Sequence, residues 1–267
     1  MNRSRFIAVA ILVLIALHRA NAAGRVDAIV EAQTGYIIGA ASDGHWLDSA
    51  KAAALIKPGA SFRVYDLTRD LGTATASKPQ SADEPCPDTR MTKLSPKPDR
   101  GAIALSAPWN ALPRKPRIAD VTQSVYVEAV REFLAQHRLP QAAVKITQIL
   151  RVDLDGDGSE EVLISATNYL TKDGVPSSAP GGSYSFVLLR RMVSGKVKTQ
   201  LVAGEFYPNA KNFNAPNRYS VLALLDVDGD GKMEVIVESA YYEGGATTVY
   251  RCTPEKIEEL VSTGCGA

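Results

Sequence analysis

Two acidic stretches hold the residues of this chain whose types and spacing could do chemistry. They read DLDGDGSEE from Asp153 to Glu161 and DVDGDGKME from Asp226 to Glu234, in register from first aspartate to last glutamate. A hard cation such as calcium takes about six to eight oxygen ligands. Carboxylates at loop positions one, three and five can turn toward a common centre, while glycine at position six permits the sharp bend. Those carboxylates are Asp153, Asp155 and Asp157 in the first loop and Asp226, Asp228 and Asp230 in the second. Ser159 and Lys232, at position seven, would offer main-chain carbonyls, and Glu161 and Glu234, at position nine, could ligate directly or through water.

Electrostatics favours an ion over a plain polar turn, which Asp and Gly would also suit. Two carboxylates about 4 Å apart repel by roughly 4 kcal/mol at an effective dielectric of about 20. Four acids converging on one loop multiply that repulsion unless a cation intervenes, so two bound Ca2+ ions are expected. An EF-hand would need a glutamate at position twelve and helices on both sides. Position twelve is Ile164 in one loop and Val237 in the other, and the flanking patterns are strands.

The D-x-D-G-D-G-x-x-E form, repeated in matching strand context, resembles the calcium-binding loop of FG-GAP and VCBS-type repeats. Those repeats are known from integrin-like propellers and many exported bacterial proteins. The resemblance covers about residues 142–267. It implies one calcium held by Asp153, Asp155, Asp157, the Ser159 carbonyl and Glu161. It implies a second held by Asp226, Asp228, Asp230, the Lys232 carbonyl and Glu234.

The strands that must carry these loops are legible as an internal repeat. In the first copy Val144, Ile146, Leu150, Val152 and Leu154 alternate before the loop, and Val162 to Ala166 restart a strand after it. In the second copy Val221, Ala223, Leu225 and Val227 precede the loop, and Val235 to Val237 follow. Each copy continues with two more strand patterns: Tyr184 to Arg190 and Val197 to Val202, matched by Thr247 to Cys252 and Ile257 to Val261. Four short strands per copy is the content of a propeller blade. Two copies cannot close a ring, so the blades must cover each other, cover the N-terminal module or associate with another chain, and the first is expected.

The expected fold is mainly β: a small α+β or β-barrel-like module over 23–117, a bridging helix over 118–141, and two four-stranded blade-like repeats over 142–267. Within the module, strands are expected at 36–41, 61–67 and 101–106. A helix capped by Asp48 or Ser49 should run to Ile56, and an irregular loop should fill 75–100. Tyr126, Val130, Phe133, Leu134 and His137 fall on one face of the later helix, which Pro140 follows.

Ahead of the module, Arg3 and Arg5 precede an apolar run from Phe6 to Leu17 that leads to Ala20-Asn21-Ala22, the pattern of a cleaved export leader over 1–22. That run falls short of the roughly 20 residues that span a bilayer, and no cysteine follows it, so no membrane anchor is expected after cleavage. The mature protein would be periplasmic or secreted. Cleavage removes Arg3, Arg5 and Arg19, leaving 27 basic against 29 acidic residues from the full chain's 30 and 29. A scattered, slightly negative balance does not suit nucleic acid.

Cys86, Cys252 and Cys265 would meet an oxidising compartment with one thiol left over. Proximity favours Cys252 with Cys265, whereas a tight hairpin between them would carry residue 265 out of reach and make Cys86 with Cys265 competitive, so the pairing stays open. Other chemistry is poorly supplied. There is no G-x-S-x-G elbow and no H-E-x-x-H, and only His45 and His137 follow the leader. His137 is adequately explained by the dipole at its helix C-terminus. Two carboxylates suffice for a glycosidase, so an extracellular hydrolase with a site between the two halves is the alternative. The expectation is an exported, non-catalytic calcium-binding module that takes a protein or cell-surface polymer as partner. Trp46, Trp109, Tyr241 and Tyr242 could line a groove for it, with Tyr241 to Gly245 as the first candidate recognition edge.

Overall fold

The structure is a computed structural model and describes residues 25–99, 101–209 and 213–266. The expected leader lies outside the described residues. Among those described, no helix is long and apolar enough to cross a membrane.

The chain opens with β1 (Asp27–Glu31), β2 (Ile37–Ser42) and β3 (His45–Asp48). Helix α1 (Ser49–Leu55) follows, and the Asp48 side chain caps it by accepting the Lys51 N–H at 2.9 Å. Next come β4 (Ser61–Tyr65), β5 (Asp70–Ala76), the short β6 (Gln80–Ser81), β7 (Arg90–Met91) and β8 (Leu94–Ser95), and then β9 (Ile103–Leu105). Seven of these strands form one sheet in the order β3-β2-β1-β9-β4-β5-β8, while β6 and β7 pair apart. The sheet ends at β3 and β8 rather than closing, so the barrel-like form expected of this module is not the one found. Within the expected irregular loop, residues 77–99 are largely irregular, with short strands set into them. Alternation sends Ala28, Val30 and Phe62 toward Ala52 of α1, and Ile29, Ile38 and Leu105 toward a second core on the opposite face.

The remainder of the chain builds two antiparallel sheets, each in chain order. The first holds β10 (Arg117–Ile118), β11 (Ile146–Val152), β12 (Glu161–Thr167), β13 (Ser183–Val193) and β14 (Lys196–Tyr207); helix α2 (Ser124–Gln136) lies between β10 and β11 in sequence. The second holds β15 (Arg218–Leu225), β16 (Glu234–Tyr241), β17 (Gly244–Cys252) and β18 (Ile257–Gly266). The repeat therefore folds as two four-stranded units, and β10 is added to the first across the expected boundary at 117.

Helix α2 joins the halves in sequence but does not bridge them in space. Tyr126, Val130, Phe133 and Leu134 all pack on Ile149, Ile164, Tyr184, Phe186 and Leu188, one face of the first unit's sheet. The physical reason is that this sheet is apolar on both faces and needs a cover. Ile149 points to the helix, whereas its neighbour Leu150 points to a larger core shared with the rest of the molecule. That larger core receives side chains from the N-terminal sheet and from both units. Strand β15 lies against β12 and β13, and β18 lies against β2 and β3. The two units thus cover each other, as expected, and the second also covers the N-terminal sheet.

Cys86 and Cys265 form the disulfide, with their Cα atoms 5.6 Å apart, and tie the irregular 77–99 segment to the last strand. The β17–β18 register explains the choice: Cys252 sits opposite Ile257, and Cys265 sits opposite Gly245. The hairpin keeps Cys252 from Cys265 and leaves it as the free cysteine.

Candidate metal centres

Each acidic loop connects the first two long strands of its unit, β11 to β12 and β15 to β16. The glycines at loop positions four and six make both bends, with φ of +79° and +89° in the first loop and +80° and +85° in the second. A Cβ on Gly229 would also meet the Trp109 ring at 3.2 Å, so close packing joins backbone geometry in requiring glycine there.

Main-chain amides set the carboxylates in nearly the same way twice. Asp153 accepts the N–H groups of Gly156 at 2.7 Å and Gly158 at 3.0 Å; Asp226 accepts those of Gly229 at 2.7 Å and Gly231 at 3.1 Å. At position nine, Glu161 accepts the Leu154 N–H at 2.8 Å and Glu234 the Val227 N–H at 3.2 Å. Asp153, Asp155 and Glu161 bring one carboxylate oxygen each to within 4.8 Å of one another, and Asp226, Asp228 and Glu234 do the same. These two partly buried acidic triads could hold metal ions, and their donor sets are all oxygen.

The other expected ligands stand differently. Asp157 and Asp230 are exposed and outside the triads, and each gives one oxygen to an N–H two residues on, that of Ser159 at 2.7 Å and of Lys232 at 2.8 Å. Ser159 and Lys232 are themselves exposed. His137 is no part of either centre: its ring stacks on Phe206 at 4.2 Å and its Nδ1 lies 2.9 Å from the Phe133 carbonyl.

Burial decides the electrostatics. Glu161 and Glu234 are 3% and 1% exposed, and desolvation raises the pKa of both. For Glu234 burial and the neighbouring Asp228 push the carboxyl up to about 8, against the pull of the Val227 N–H and Arg251. Asp226 is raised as well, again chiefly by burial.

Comparison with protein-family models, with curated proteins and with solved structures finds no match for this chain. The likeness of the loops to FG-GAP and VCBS-type repeats therefore rests on their own residues.

Several residues at these centres are not signalled by the loop motif. Arg114 spans the two loops, donating to the Asp153 carbonyl, to the Leu154 carbonyl at 2.9 Å and to the Gly231 carbonyl at 2.7 Å. The Met233 N–H reaches the Leu154 carbonyl at 2.8 Å, so the loops lie side by side. Trp109 donates its indole N–H to the Asp226 carbonyl at 2.8 Å, and the Asp226 N–H donates to the Ala111 carbonyl at 2.8 Å. Arg191 and Arg251 approach one triad each from the neighbouring strand. The repeat contained a signal for this last pair, an arginine opposite each position-nine glutamate. The connection from β12 to β13 is longer than that from β16 to β17, which hides the correspondence along the chain.

The candidate recognition edge is partly exposed. Tyr242 is at the surface, with Phe213 edge-on to it at 6.2 Å, whereas Tyr241, Trp46 and Trp109 are half-buried.

Proposed function

We propose that this chain is an exported, non-catalytic calcium-binding protein, periplasmic or secreted, whose duplicated β unit serves as a binding or structural module for a protein or cell-surface polymer. The observation that carries this reading is the duplication of one geometry: two triads of buried or half-buried carboxylates, each shaped by the same main-chain amides. Oxygen donors alone suit a hard cation rather than zinc, which prefers histidine and cysteine. Calcium tolerates the irregular, flexible shell that a loop supplies better than magnesium does. Asp157 and Asp230, with the Ser159 and Lys232 carbonyls, would complete the shells begun by the triads. An affinity of about 0.1 to 1 mM, that of extracellular modules, suits a structural ion.

Calorimetric titration of the mature protein with calcium tests the reading. Two sites are expected, Asp155→Ala and Asp228→Ala should each remove one, and unchanged stoichiometry in both variants would refute the assignment. Saturation at 10 mM calcium should stabilise the fold by about 1.4 to 2.7 kcal/mol per site at that affinity.

One feature supports the second reading, a hydrolase with its site between the halves. Glu31 of β1 and Glu238 of β16, with Glu243, line an open cleft of about 350 Å³ between the N-terminal sheet and the second unit. Burial raises the Glu31 carboxyl, and Glu238 adds to the rise. Turnover of a glycan or peptide that survives chelation and is lost in Glu31→Gln would establish this reading over the first.

A further inference from the structure

The two acidic triads differ in what faces them. Val162 pairs with Arg190 and Val235 with Tyr250, so the next residues along β13 and β17, Arg191 and Arg251, occupy the same place relative to Glu161 and Glu234. Arg251 uses that place. Its Nη2 donates to Asp228 Oδ2 and its Nε lies 3.5 Å from Glu234 Oε1. The other oxygen of each acid is already committed to the loop backbone, Asp228 Oδ1 to the Asp230 N–H at 3.2 Å and Glu234 Oε2 to the Val227 N–H at 3.2 Å. Arg251 therefore takes the carboxylate oxygens that an ion would need.

Arg191 does not take them. Its Nη1 stands 3.8 Å from Asp155 Oδ2, beyond a hydrogen bond. Its Nη2 donates to the Cys252 carbonyl at 3.0 Å, and Nε and Nη1 have no hydrogen-bond partner among the described residues although the side chain is 1% exposed. Arg191 thus stands beside the first triad as a charge, in ion-pair range of Asp155, but occupies none of its carboxylate oxygens by hydrogen bonding.

From this asymmetry we infer that Arg251 is the resident counter-ion of the second loop, so that the chain has one open cation site, at the first loop, and one arginine-gated site, at the second. The inference rests on the calcium reading above and sets the order of filling. Calcium enters the first loop directly. It enters the second only when the Arg251 guanidinium is displaced, because two cations cannot share the same pair of carboxylate oxygens at contact distance.

Both tryptophans of the chain report on the second loop. The Arg251 guanidinium lies over the Trp46 ring, 5.7 Å from its centroid, and Trp109 is bonded to the Asp226 carbonyl. Intrinsic fluorescence should therefore follow the gated site while calorimetry sees both.

The experiment is a calcium titration of the mature full chain by calorimetry and tryptophan emission in parallel, on the wild type, Arg251→Gln and Asp155→Ala. In the wild type the emission change should require about tenfold or more calcium beyond the first calorimetric step. Arg251→Gln should move it about tenfold or more toward lower calcium and leave the first step in place. Asp155→Ala should lose the first step and keep the emission change. If the glutamine variant fails to fold by circular dichroism, Arg251→Met, which keeps the aliphatic stem over Trp46, takes its place with the same expected shift. Emission that saturates with the first step in the wild type and does not move in the Arg251 variant would overturn the gate and leave the calcium reading standing. No heat and no emission change in any of the proteins would overturn both.

Discussion

A carboxylate buried to 1% exposure must be protonated, paired with a cation or strongly hydrogen-bonded, and Glu234 has a share of each. With no metal bound, its pKa of about 8 against 4.5 in an unconstrained chain means that the folded state holds this proton where the unfolded state has lost it. Between those two values stability must fall as pH rises, because the folded state binds more protons. Glu161 and Asp226, raised by the same burial, push in the same direction. In chelator, thermal melting temperatures should therefore decline from pH 5 to pH 8, and Glu234→Gln, which keeps an acceptor for the Val227 N–H, should flatten the decline. A melting temperature that rises through this window and is insensitive to the substitution would show that Glu234 titrates normally. The loop acids were legible in the sequence because their spacing is local, within one bend of chain. Their arginine partners were not, because opposition across two strands depends on register and on the length of the intervening connection, neither of which a nine-residue motif contains.

At the scale of elements, periodicity identified α2 and its apolar face, but not what the face covers. An amphipathic stripe states only that one side is buried. The partner became evident from the first unit's sheet, where consecutive residues such as Ile149 and Leu150 are both fully buried and must therefore face different covers. Phe133 is central to that contact, edge-on to Phe186 at 5.4 Å and near Phe206 at 5.9 Å. Phe133→Ala should cost about 3 to 5 kcal/mol in denaturant unfolding, the usual penalty for emptying an aromatic position in a core. Its calcium stoichiometry should be unchanged, since α2 packs on the sheet face opposite the core that both units share. A cost below about 1 kcal/mol would mean that the helix is loosely held. The short β10 carries no strand signal, because two residues show no alternation; it takes its form from pairing with Leu150 and Arg151 and from the Arg117–Glu160 ion pair.

For the whole molecule, two four-stranded units of this size find their cover in a shared core, in which the N-terminal sheet and both units bury apolar faces against one another. This junction is locked at one edge by Cys86–Cys265, reinforced by the Thr89 hydroxyl donating to the Gly264 carbonyl at 2.8 Å. The bond links residues 179 apart, so it removes a large loop-closure entropy from the unfolded chain. The double variant Cys86→Ser/Cys265→Ser should lose about 2 to 5 kcal/mol of stability, the range for a native disulfide closing a long loop. Because β18 packs on β2 and β3 through Val261 and its neighbours as well as through the bond, the loss should appear as a lower but still single unfolding transition. Separate transitions for the N-terminal sheet and the second unit would show instead that the disulfide, and not the shared apolar core, makes the two cooperate. Calcium should raise the midpoint of the double variant by as much as that of the parent, since both loops hang from β11–β12 and β15–β16, at strands that the bond does not touch.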